Sequence, residues 1–303
     1  MIEEIPSSLA GERLDRIVAM ITGRSRTEAA EVVASGVVLV DGKVALSGKI
    51  RLEVGQSVDV PEAGPDAATL LVADPTIPID VIYADDHVIV VNKHDGLVVH
   101  PGHGHESGTL VHALLARYPE IRDVGEPIRP GIVHRLDKGT SGLMIVARTQ
   151  LAYVNLVEQL SVHSVTRRYA ALVWGSPENA SGTIDAPIGR RPKDPLKMAI
   201  VADGKWARTT YEVIERFREP KEMSLVHCWL ETGRTHQIRV HLTGIGHPVV
   251  GDATYGRRRE LPGAERPMLH AHHISFTHPS TGGIVEFDTP IAADMATVLS
   301  RCS

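Results

Sequence analysis

IVHRLDKGTSGLMIVART, residues 132–149, sets the charged and polar cluster HRLDKGTSG between an apolar start and an apolar run. That pattern places His134, Arg135 and Asp137 in a loop between two buried strands. A carboxylate in such a loop is either ion-paired or chemically engaged.

Working outward, the chain from Val81 has the texture of short strands divided by turn residues. VIYADDHVIVVNK reads as a strand, an Asp85-Asp86 turn and a second strand. GLMIVA, RRYAALVW, ARTTYEVIERF, MSLVHCWLE and MLHAHHISF read as further strands. Helical spacing occurs at Thr109–Arg117, Gln150–Leu160, Thr235–Thr243 and Ala292–Leu299. Strands in succession with intermittent helices predict an α+β fold with a largely antiparallel, mixed sheet over residues 81–303. Residues 1–61 read as a separate small α/β module. Leu14, Ile17, Val18 and Ile21 form one apolar stripe, and Ser25 with Glu28 makes a capping box for a second helix that turns Ala29, Val32 and Val33 inward. VVLV, Asp41-Gly42 and KVAL then predict a type I′ hairpin. Residues 62–80, rich in proline and acid, read as the linker.

The 303 residues carry 32 Lys plus Arg against 37 Asp plus Glu, with 43% hydrophobic residues, which fits a soluble globular chain of about two domains. No long apolar run suggests a membrane span, and the acidic start is unlike an export signal. Cys228 and Cys302 stand far apart without a CxxC pattern, so a reducing cytoplasm is the expected compartment. The charge is uneven: residues 1–61 hold 7 bases and 9 acids, residues 62–86 hold 0 and 6, and residues 87–303 hold 25 and 22. Part of the last segment can therefore face a polyanion, although a mixed solvated surface is the plainer reading.

No GxxxxGK[ST] loop, GxGxxG turn or GxSxG elbow is present, which argues against nucleotide-driven chemistry and a serine nucleophile. His100, His103 and His105, and His270, His272 and His273, are close enough in sequence to raise a metal hypothesis. No acidic ligand accompanies either set, so ordinary hydrogen-bonded histidines and no metal are expected. Downstream, ETGRTHQIRVHL puts Arg234 just before a helix, with Arg239 and His241 further along it. An arginine beside Asp137 would hold that carboxyl below its unperturbed pKa of ~3.9. A salt bridge that only orders the loop is the competing reading.

HRLDKGTSG closely resembles the signature of the RluA-type pseudouridine synthases, and RRYAALVWG, TGRTHQIRVHL and MLHAHHISF resemble that family's other motifs in the same order. The N-terminal GERLDRIVAMI, SRTEAAEVVASG and VLVDGK resemble a small RNA-binding fold shared by a ribosomal protein and some tRNA synthetases. The resemblance implies a cofactor-independent isomerisation of uridine in RNA. The N1–C1′ bond is cut, the base is turned, and C5 is joined to C1′. It implies Asp137 as the essential carboxylate, attacking C1′ or removing the C2′ proton, with Arg234 as its partner. Tyr169 would stack on uracil and help remove the C5 proton. It further implies Arg135 in the place vacated by a flipped base, His134 supporting the loop and contacting RNA, and Leu269 as an apolar floor. Arg13, Arg16, Arg24, Arg26 and Lys43 are the expected phosphate contacts of the first module. Large-subunit ribosomal RNA is the expected partner, with a transfer RNA as alternative and a monomer as the default state. A non-catalytic RNA-binding assembly factor belongs to a different class, and the presence of Asp137, Tyr169 and Arg234 together argues against it. A glycoside hydrolase would need a second carboxylate, and none stands out.

Overall fold

The computed structural model describes residues 2–23, 25–60, 71–102, 105–256 and 259–303. The chain divides into two compact units, 1–70 and 71–303.

In the smaller unit, β1 (Ile2–Glu4), α1 (Leu14–Thr22), α2 (Arg26–Ala34), β2 (Leu39–Val40), β3 (Lys43–Val44) and β4 (Ser57–Asp59) follow in order. The strands lie β1-β4-β2-β3. Both halves of the capping box form: Glu28 N–H donates to the Ser25 hydroxyl, and Ser25 N–H to the Glu28 carboxylate. Asp41 and Gly42 adopt φ of 50° and 73°, as the two-residue hairpin requires. Leu14, Ile17, Val18, Ala29, Val33 and Val58 form the core, with Val32 half-buried beside them.

The larger unit begins inside the expected linker. Leu71 is buried in its core, and Asp74 N–H donates to the His112 carbonyl. Its elements are β5 (Asp80–Ala84), β6 (Val88–Lys93), α3 (Leu110–Arg117), β7 (Gly125–Glu126), β8 (Arg129–Pro130), β9 (Ser141–Ala147), α4 (Gln150–Ser161), β10 (Thr166–Trp174), β11 (Ser181–Asp185), β12 (Ile188–Arg191), β13 (Asp194–Ile200), β14 (Arg208–Phe217), β15 (Met223–Leu230), α5 (Gln237–Gly244), β16 (Leu269–Thr277), β17 (Ile284–Asp288) and α6 (Ala293–Leu299). Among the described residues the main sheet runs β11-β14-β15-β10-β16-β9-β6-β5, with β17 on β16. Every pairing in it is antiparallel except β16 with β9, where His270 faces Ser141 and Ala271 faces Gly142. This is the α+β architecture with a mainly antiparallel mixed sheet that the sequence predicts.

Strand alternation sorts the core into layers. Ile89, Val91, Met144 and Val146 face α3, while Val88, Val90, Leu143 and Ile145 face α4. On the other side of the seam, Tyr169, Ala171 and Cys228 pack with Ile238 and Leu242 of α5, and Ala170, Leu172 and Trp174 pack with Met295 and Val298 of α6. Gly142 sits at the seam with φ of 118°, and a Cβ there would lie 2.2 Å from the Ala271 carbonyl oxygen. Only glycine permits so close a strand approach.

Candidate active site

The loop between β8 and β9 carries Asp137 at a cleft of about 590 Å³. The turn is closed by Thr140 N–H donating to the Asp137 carbonyl at 3.0 Å. Its backbone is then held from outside. Gly96 N–H donates to the Lys138 carbonyl at 2.8 Å, the buried Lys93 ammonium reaches the same oxygen at 3.4 Å, and Arg266 Nη1 donates to the Gly139 carbonyl at 3.1 Å. Arg266 also donates to the Leu269 carbonyl at 3.2 Å and forks onto Asp294 at 2.6 and 2.7 Å, tying the loop to β16 and α6. Burial pushes the Lys93 pKa down to about 8 against the attraction of Asp95 and Asp137.

The arginine beside Asp137 is Arg239, and this corrects the expectation of Arg234. Arg239 Nη1 donates to Asp137 Oδ2 at 3.1 Å, while Nε and Nη2 fork onto the fully buried Asp252 at 2.7 and 2.9 Å. Asp252 Oδ1 also accepts Thr254 N–H at 2.9 Å and Tyr255 N–H at 3.2 Å. Burial opposes the Arg239 charge, but the bonds and charges of Asp252 and Asp137 outweigh it and raise its pKa. Arg234 instead turns its Nε to the Trp206 carbonyl at 2.9 Å, because it lies in the turn ahead of α5 and not on the helix. The signal for Arg239 was its setting: Gln237, Ile238, Arg239, Val240, His241 and Leu242 are all buried, and a charge inside such a helix must be paired.

His236 precedes α5 in a left-handed conformation, φ 58°, rare for a residue with a Cβ. Its Nδ1 lies 2.8 Å from the Tyr255 hydroxyl, and its Nε2 lies 3.9 Å from Asp137 Oδ2. The Tyr255 hydroxyl also accepts Met198 N–H at 3.0 Å, which ties the ring to β13. Burial lowers the His236 pKa despite the pull of Asp137, which keeps the ring neutral.

Tyr169 on β10 and Leu269 at the start of β16 line the cleft with Asp137. Burial raises the Tyr169 pKa, with Arg167 pulling the other way. Arg135 is exposed at the rim, its Nη1 3.4 Å from His100 Nε2. His134 is used inside: its Nε2 accepts Ile145 N–H at 3.0 Å, and burial pushes its pKa down to about 3. It supports the loop as expected, but as a neutral ring bonded to β9 it offers no cation to RNA.

In the smaller unit, Arg13 and Arg26 flank the buried Asp15, and Arg16 pairs with Glu12 at 2.7 Å. These three expected phosphate contacts are therefore engaged by acids of their own unit. Lys43 is exposed, and Arg24 lies outside the described residues. Three of these histidines make ordinary bonds: His270 with Ser141 at 2.8 Å, His273 with Asp288 at 2.9 Å, and His100 with the Pro101 carbonyl at 2.8 Å. His103 lies outside the described residues, among which no group of side chains is placed to hold a metal. No described helix is long and apolar enough to cross a membrane.

The sequence profile of RNA pseudouridylate synthases matches residues 87–243, which include the Asp137 loop, β10 and most of α5. An uncharacterized RNA pseudouridine synthase of Bacillus subtilis is 44% identical over 96% of this chain and 94% of its own. Ribosomal large subunit pseudouridine synthase D of Nitrosomonas europaea is 43% identical over 97% of this chain and 86% of its own. Among solved structures, human RNA pseudouridylate synthase domain containing 1 matches with a TM-score of 0.57 at 31% identity, covering 71% of this chain and 84% of that one. With the profile spanning more than half of the residues and such relatives along nearly the full length, the chain belongs to the RNA pseudouridylate synthase family.

Proposed function

We propose that this enzyme converts particular uridines of large-subunit ribosomal RNA to pseudouridine, with Asp137 as the essential carboxylate and Arg239 as the group that orients it. The observation that carries the assignment of residues is the Asp137–Arg239–Asp252 chain, in which a buried acid fixes a guanidinium that in turn fixes an acid at the cleft mouth. Asp137 lines the cleft with its side chain 19% exposed, so a substrate in the cleft can reach it. The large-subunit substrate is supported by a relative of that printed name, 43% identical over 97% of this chain.

In the reaction the N1–C1′ bond breaks, C5 bonds to C1′, and the C5 proton is lost as N1 regains one, so no net atom is exchanged. Asp137 acts at the ribose, either on C1′ or on the C2′ proton. Arg239 keeps one carboxylate oxygen occupied, which leaves the other as the reacting atom. The raised pKa keeps the Tyr169 phenol protonated in the resting cleft. It therefore offers the uracil its ring face, and the C5 proton passes to solvent water only once the C5–C1′ bond has made it acidic, with N1 taking a proton from solvent in exchange. Leu269 lines the same cleft and supplies an apolar floor. Extruding the uridine costs about a few kcal/mol, which stacking and phosphate contacts at the cleft must offset.

The test is release of tritium from RNA labelled at uridine C5, for wild type and Asp137→Asn, on large-subunit ribosomal RNA and on bulk transfer RNA. Release from the ribosomal RNA that vanishes in Asp137→Asn is the expected result. Release from transfer RNA alone would move the substrate class, and release that persists in Asp137→Asn would sink the role of that carboxylate.

A further inference from the structure

The cleft is lined by Arg129, Arg135, Arg167, Arg234 and Arg239 against the single acid Asp137. One of these, Arg167 on β10, is 7% exposed and has no described carboxylate in ion-pair range. Its Nη2 makes two long contacts of 3.4 Å to the Leu230 and Glu231 carbonyls, and its Nε has no partner. Burial lowers its pKa, so the charged form is held at a cost. Gly233 leaves the space it needs, since a Cβ there would lie 2.9 Å from Arg167 Nη1. A buried guanidinium without a counter-ion, facing a cleft, is suited to an anion that arrives with the substrate.

Next along the same rim, past Arg234, stands Trp206. It is 44% exposed, while Trp174 is 3% exposed and Trp229 half-buried. The exposed ring is nevertheless held. Its indole N–H donates to Asp185 Oδ1 at 3.0 Å, and His163, a cleft-lining residue at φ 62°, meets it edge-on with centroids 5.5 Å apart. Its carbonyl accepts Arg234 Nε at 2.9 Å. A fixed aromatic face bonded to Arg234, at the rim of the cleft that Arg234 shares with Arg167, is an arrangement that can bind one unpaired nucleotide by its base and its phosphate.

We propose that the cleft contains a second nucleotide subsite, in which Arg167 and Arg234 bind the phosphate joining the target uridine to its neighbour and Trp206 stacks on that neighbour's base. The inference rests on the reading of the cleft as an RNA site, and it makes Trp206 a determinant of which uridines are accepted.

The experiment measures tritium release from a C5-labelled large-subunit transcript at several KCl concentrations, for wild type, Trp206→Ala, Trp206→Phe and Arg167→Met. Trp206→Ala is expected to raise KM about tenfold with kcat within about twofold, the size of one base–aromatic stack, and Trp206→Phe to restore most of it. Arg167→Met is expected to raise KM and to lower the slope of log KM against log [KCl] by about 0.7, one phosphate contact on a single strand. Its urea midpoint stays level or rises, because an unpaired buried charge has gone. Wild-type KM and slope in the alanine and methionine variants would overturn the subsite and leave the indole face to a protein partner. A fallen midpoint with an unchanged slope would make Arg167 purely structural and overturn it too. Should the wild type release no tritium, filter binding of the same transcript reads the same fold-changes and slopes, which separates failure of this subsite from failure of the isomerase reading.

Discussion

Arg239 joins two acids of opposite character, and removing it is expected to damage fold and chemistry by separable amounts. Arg239→Met leaves the Asp252 side chain, 0% exposed, with the Thr254 and Tyr255 amides as its donors among the described residues. Breaking a buried pair by deleting one partner costs about 3–5 kcal/mol, since the stranded charge keeps its desolvation penalty. The same change removes the 3.1 Å bond to Asp137, which remains near a neutral His236 at 3.9 Å. Loss of such a preorganised donor lowers kcat by about 10²–10³-fold. Adding Asp252→Asn removes the stranded charge, so Arg239→Met/Asp252→Asn recovers stability to within about 1–2 kcal/mol of wild type. It recovers no activity, because Asp137 is still unsupported. Urea denaturation gives the stability cycle, and tritium release from C5-labelled RNA gives the activity. A double variant with a restored midpoint and a kcat within tenfold of wild type would refute the reasoning, by showing that Arg239 serves the fold alone.

Two further outcomes follow from burial and from the seam. His134 and His270 are held near pKa values of about 3 and about 4, chiefly by burial, against about 6.5 in the unfolded chain. The unfolded state therefore binds more protons between these limits, and stability is lost as pH falls from about 6.5 through about 4. Urea midpoints measured from pH 7 to pH 4.5 should decline over that range, and a flat profile contradicts the burial of these rings. Gly142→Ala forces a Cβ onto the Ala271 backbone at a positive φ. A loss of about 3 kcal/mol or more is expected from the combined strain and overlap, read as a fall in the melting midpoint, and a midpoint within error of wild type would rule out the close β9–β16 approach.

Local chemistry was readable wherever a short span decides the outcome. The Ser25/Glu28 box, the Asp41-Gly42 turn and the apolar alternation of β6, β9, β10 and β15 are each fixed by neighbours in sequence. The β12–β13 hairpin is not legible in the sequence, since Pro192 and Pro195 and four basic residues disguise it and it stands outside the main sheet. The Asp137 loop was legible as a site, but its partner was not. Arg234 and Arg239 occupy one motif, and which of them reaches Asp137 depends on His236 entering a left-handed conformation and starting the helix at Gln237. Arg167 is hidden for a different reason: an arginine in a strand reads as an edge or surface residue until tertiary contacts reveal that its charge has no counter-ion among the described residues.

The placement of β16 bears on the order in which the molecule is made. This strand, residues 269–277, follows every strand of both halves in sequence, yet it lies between β9 and β10 and, among the described residues, alone connects the two halves of the main sheet. Asp137 enters from one half, Tyr169 and Arg239 from the other. A nascent chain still lacking β16 can pair β5, β6 and β9, and separately β10, β11, β14 and β15, but it has nothing to hold the acid against the arginine. Such late, non-local closure is slow relative to local pairing. Asp137 and Arg239 are therefore brought together only when β16 has entered the sheet, and its pairing is the step that completes the site.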